Sequence, residues 1–152
     1  MATDSPIQRA AWGLEVGQPM HAPAGDPTYT RREIQDPNLT EADINIRVDW
    51  QTLRRLPLSG AVVINVKVLF VPLAEIRDEP YVPELLLKVL DKGKGSIMRY
   101  KGTWHVEHVV RPALQRWAAE QRSQGLVEDG WEAQTLDEYP FFPGWERKYR
   151  VV

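Results

Sequence analysis

The chain has 152 residues, no cysteine, and 19 Lys plus Arg against 21 Asp plus Glu, a formal net charge of -2. That length fits one domain with one modest core, and the near-neutral balance gives no electrostatic footprint for nucleic acid. The missing thiols exclude disulfides, thiolate zinc sites, iron–sulfur clusters, a cysteine-ligated haem and a cysteine nucleophile.

Residues 1–43 show no sustained period. They hold five of the 12 prolines and three of the 10 glycines, so they are expected to be irregular. The first 20 residues contain no apolar stretch of signal-peptide length. The most apolar run, Ala61–Val71, is broken by Asn65 and Lys67 and is too short for a bilayer. The expected location is cytoplasmic, with no membrane partner.

The pattern changes at Ile44. Ile44, Ile46, Val48 and Trp50 alternate with Asn45, Arg47, Asp49 and Gln51, which predicts a half-buried strand. A turn-like stretch, Leu56-Pro57-Leu58-Ser59-Gly60, leads into the β-branched run Ala61–Val71. The short connection predicts an antiparallel hairpin. Pro80 to Leu90 reads as a helix with Tyr81, Val82, Leu85, Leu86 and Val89 on its apolar side and Pro80 in its first turn. Ser96 is a candidate cap for a second helix near Ile97, and Gly102 interrupts it. A longer helix is expected from about Thr103 to Ser123, kinked or divided at Pro112. The tail 126–152 is rich in aromatics and is expected to lie across the helices. The expected class is therefore α+β: an antiparallel hairpin, two or three helices and an irregular aromatic tail.

Three constellations can carry chemistry. His105 and His108 lie three apart on one helix face, a spacing that can chelate a metal or offer one imidazole to haem iron. Packing beside Trp104 is the competing reading. Arg54-Arg55 ends the first strand, where a guanidinium can hold a carboxylate or phosphate. A solvated turn explains the same pair. The stripe Arg47, Asp49, Gln51 either faces water or lines a pocket. Phosphate-binding glycine loops and the nucleophile elbow are absent from the sequence.

The stretch Ile46–Val63, with Gln51-Thr52-Leu53-Arg54-Arg55-Leu56-Pro57 at its centre, resembles the signature of the haem-dependent oxidative N-demethylase-like family, also called the HRQ family. The signature's Glu-Arg is Asp49-Trp50 here. Gln35–Leu39, Arg77–Tyr81, Trp104–Val110 and Phe142–Trp145 resemble its fungal branch. The resemblance implies a PAS-like α+β fold, haem b, oxidative demethylation of a small amine, and an electron-transfer reductase as partner. It implies that residues 44–152 form the C-terminal part of such a domain, whose full sheet has about five strands. By position it assigns Asp49 and Gln51 to the catalytic pocket and Arg54 and Arg55 to the haem propionates. It sets His105 and His108 as candidate metal ligands. A truncated, non-catalytic member that serves a structural or partner-binding role is the alternative.

Overall fold

The computed structural model describes residues 3–134. Three strands, β1 (Ile7–Val16), β2 (Ile44–Arg55) and β3 (Val62–Pro72), form one antiparallel sheet in the order β1-β2-β3. The hairpin of β2 and β3 pairs without interruption from Asn45 opposite Pro72 to Arg55 opposite Val62. Its turn closes where the Leu56 N–H donates to the Ala61 carbonyl at 2.8 Å, with Gly60 at φ +68°, a region that glycine enters without a Cβ clash.

β1 corrects the expectation that residues 1–43 are irregular. Its ten residues pair with β2 from Ile7 opposite Leu53 to Val16 opposite Ile44. Only Trp12, Leu14 and Val16 alternate; before them, Arg9-Ala10-Ala11 offers no pattern and little strand propensity. Pairing to β2 forms the strand, and pairing is not local in sequence. A short helix, α1 (Pro27–Arg31), also falls in this segment, with Asp26 accepting from the Thr28 N–H at its start. Glu41–Asp43 makes a single 3-10 turn, and the Asp43 carboxylate accepts from both the N–H and the hydroxyl of Thr40.

Strand alternation divides the sheet into two faces. Trp12, Leu14 and Val16 share one with Ile44, Ile46, Val48, Leu69 and Val71. The helices cover this face. They are α2 (Val82–Lys92), α3 (Gly95–Lys101) and α4 (Trp104–Ser123). The core joins Leu14, Ile44 and Ile46 to Leu73, Ile76 and Leu90 and to Val106, Val110, Leu114 and Trp117 of α4. Lys101 fixes α3 to the sheet: its ammonium lies 4.0 Å from the Trp12 ring centroid and donates to the Trp12 carbonyl at 2.7 Å.

Three helix boundaries differ from the sequence reading. α2 begins at Val82, so Pro83 fills its first turn and Pro80 precedes it. The cause is Tyr81, held at φ +72° by the side chain of Gln121, which ends the preceding turn. Ser96 does not cap α3; Lys94 stands at that position and Ser96 lies inside the helix. Pro112 does not divide α4, which runs unbroken to Ser123. The proline removes one ladder donor, while the buried residues on both sides of it keep the helix on the core. Gly93 follows α2 because a Cβ there would lie 2.5 Å from the Val89 carbonyl oxygen and 2.8 Å from Met98 Sδ.

Residues 126–134 turn back along α2 and α4. Arg122 grips Glu84 with two nitrogens and donates to the Trp131 carbonyl, and Tyr81 meets the Trp131 ring edge-on at 4.9 Å. The tail's other aromatics, from Tyr139 to Tyr149, lie outside the described residues. Among the described residues no helix is long and apolar enough to cross a membrane.

Candidate functional site

The polar stripe of β2 lies on the sheet face away from the helices, and the chain covers its first part. Asn45 Nδ2 donates to the Gly17 carbonyl at 2.9 Å, and Arg47 Nη1 donates to the Pro19 carbonyl at 3.1 Å. Arg47 also donates from Nε to Asp49 Oδ1 at 2.9 Å, with its guanidinium carbon 6.0 Å from the Phe70 ring centroid. Gln51 Oε1 accepts from Arg9 Nε at 2.6 Å. Asp49 and Gln51 are thus half-buried, and each already holds an arginine from this chain.

Beside them Glu15 is buried and paired with Arg32, while Glu15 Oε2 and Arg32 Nε have no hydrogen-bond partner among the described residues. Burial raises the Glu15 carboxyl above its ordinary range, and Arg32 and Arg47 pull it back. The sequence reading missed this pair. The Leu14-Glu15-Val16 alternation was its only signal, because Arg32 comes from a segment without a period.

Arg54 and Arg55 are exposed at the turn end of the hairpin. As consecutive strand residues they project from opposite faces, so they do not form one clamp. Arg55 shares its face with Asp49 and Gln51; Arg54 shares the other with Trp50.

The histidines lie at the opposite end of the sheet. His105 is only 3% exposed, with Nδ1 2.9 Å from the Gly102 carbonyl oxygen. It lines a cavity together with Val16, which pairs with Ile44. Arg54 stands ten residues further along β2, about 33 Å away at strand rise. His108 places Nε2 2.8 Å from the Asp36 carbonyl oxygen, and its buried Nδ1 has no partner among the described residues. Both rings are therefore oriented by backbone carbonyls. Among the described residues no group of three His, Asp or Glu side chains is placed to hold a metal ion.

The family described as haem-dependent oxidative N-demethylase, alpha subunit-like matches residues 1–111. The chain belongs to this family. The match takes in all three strands, the Arg54-Arg55 hairpin and both histidines of this N-demethylase alpha-subunit-like chain. No curated protein matches it. The described residues do not fit the haem of the family's name as one site. The imidazoles stand at one end of β2 and the guanidinium pair at the other, and the two guanidinium groups face opposite ways.

His105 also predicts how stability depends on pH. Burial holds its imidazole below the ordinary value of about 6.5. Below that value the unfolded chain binds the proton while the folded chain refuses it, so stability falls as pH falls. Glu15 acts with the opposite sign, since its raised carboxyl favours the folded state in acid. Melting temperatures of the wild type and His105→Gln between pH 7.5 and 5 isolate the histidine. The variant is expected to lose less stability on acidification; parallel curves would refute the assignment.

Proposed function

We propose that this chain is one component of a haem-dependent oxidoreductase of the oxidative N-demethylase type, and not a complete catalytic unit. The observation that carries this reading is the distal half of the hairpin. Trp50 on β2 and Val62, Val63, Ile64 and Val66 on β3 are each about half exposed, on both faces of the ribbon. Leu56 and Leu58 in the turn are exposed as well. Val62, Ile64 and Val66 follow one another on one face of β3, an exposed apolar row of the kind that marks an interaction site, and the outer edge of β3 is free among the described strands. In this reading another polypeptide covers the ribbon, and the cofactor pocket is completed there.

Within that component, Asp49, Gln51 and Arg55 are assigned to the pocket because they share one face. Asp49 is suited to a small protonated amine, but Arg47 competes for its carboxylate. Arg54, on the other face, serves the docking surface. Neither His105 nor His108 is assigned to iron, since each ring is fixed by a backbone carbonyl. A reductase supplies the electrons in this reading, and the chain is placed in the cytoplasm. The structural, partner-binding alternative rests on the same exposed ribbon, with no cofactor role.

Haemin titration of the purified chain tests the proposal. No stoichiometric Soret complex and no rise in melting temperature are expected from this chain alone. A one-to-one complex that His105→Ala abolishes would overturn the proposal, because the chain would then contain its own iron site.

A further inference from the structure

The cavity beside His105 has a chemistry separate from the hairpin. It measures about 280 Å³ and lies between residues 31–39, the end of β1 and the first turn of α4. That volume suits a single-ring molecule, being at the lower bound for small-ligand sites. Val16, Ile34, Pro37 and Leu39 make its wall largely apolar. Arg31 and Asp36 also line it with opposite charges, so neither an anion nor a cation is favoured outright.

His105 supplies the polar contact. A carbonyl oxygen only accepts, so the 2.9 Å contact with Gly102 places the ring proton on Nδ1. Nε2 then carries the lone pair. It has no hydrogen-bond partner among the described residues, and the ring forms part of the cavity wall. His105 Nε2 is not among the fully buried polar atoms, so water reaches it in the cavity, and a donor-bearing ligand takes that water's place. A metal ion finds only His105 and Asp36 of the ligating types around this cavity.

We propose that this cavity binds a small, uncharged, mostly apolar molecule with one O–H or N–H donor, of the phenol type, and that His105 Nε2 accepts its hydrogen bond. Phenol is the probe and anisole, its O-methyl ether, is the control without a donor. Binding is read from the imidazole ¹⁵N resonances of the full chain. Phenol is expected to saturate and to shift the His105 Nε2 signal, while anisole binds at least tenfold more weakly. His105→Phe should remove the preference, and His105→Gln, which keeps an acceptor oxygen, should retain part of it. If His105→Phe fails to fold, Ile34→Trp fills the cavity from its exposed rim and should abolish phenol binding with the fold intact. Equal affinity for phenol and anisole, no saturation by phenol, or displacement of phenol by zinc ion would each overturn the proposal. None of these outcomes depends on the haemin titration.

Discussion

Replacing Gln121 with leucine is expected to destabilise the chain by about 3–5 kcal/mol. The side chain is 2% exposed and makes three hydrogen bonds to one turn. Its amide nitrogen donates to the carbonyls of Arg77 and Glu79 at 2.6 and 2.9 Å, and its Oε1 accepts from the Tyr81 N–H at 3.1 Å. Leucine fills a similar volume but takes that amide away from three part-buried backbone groups; the Glu79 carbonyl keeps the Val82 N–H at 3.2 Å, while the Arg77 carbonyl and the Tyr81 N–H each lose a bond worth about 1–3 kcal/mol. The same turn holds Tyr81 in the left-handed region and sets the start of α2, so the loss extends to the α2–α4 contact. Gln121→Glu is the informative companion. It keeps the acceptor for Tyr81 but puts a carboxylate against two carbonyl oxygens, and it should be at least as harmful. Denaturant melts give the values; a cost below about 1 kcal/mol for Gln121→Leu would show that the turn stands without it.

Leu114→Ala and Ile64→Ala should differ by several kcal/mol, although each removes aliphatic carbon from one side chain. Leu114 is 0% exposed at the centre of α4, so its removal leaves a cavity costing about 2–5 kcal/mol. Ile64 is 57% exposed on the open ribbon, and its loss should cost below about 1 kcal/mol. At about 2–4 °C per kcal/mol for a chain of this size, the first variant melts roughly 10 °C lower and the second almost unchanged. A large effect at Ile64 in the isolated chain would mean that the ribbon is already covered, and the proposed docking surface would fail with it.

The hairpin was legible because both of its strands announce themselves locally. The Ile44–Gln51 alternation and the β-branched run to Val71 need no distant partner to be recognised. α4 was legible for the same reason, through the spacing of Val106, Val110, Leu114 and Trp117. β1 was not, because half of it has no alternation and its ladder bonds go to residues about 30–50 positions away. The start of α2 was misread because a side chain 40 residues further on decides it.

The candidate site divides in the same way. Sequence singled out Asp49, Gln51, Arg54, Arg55, His105 and His108 as chemically able side chains, and the family match covers all six. Their functional value depends on distance and direction, which a linear order does not contain. Consecutive arginines on a strand point apart, and a twelve-residue strand is long enough to hold its two ends in separate environments. The sequence by itself therefore determined the α+β class, the hairpin and the family. Only the tertiary structure decided that the imidazoles and the guanidinium groups belong to different places, because the path of β2 separates what the motif lists together.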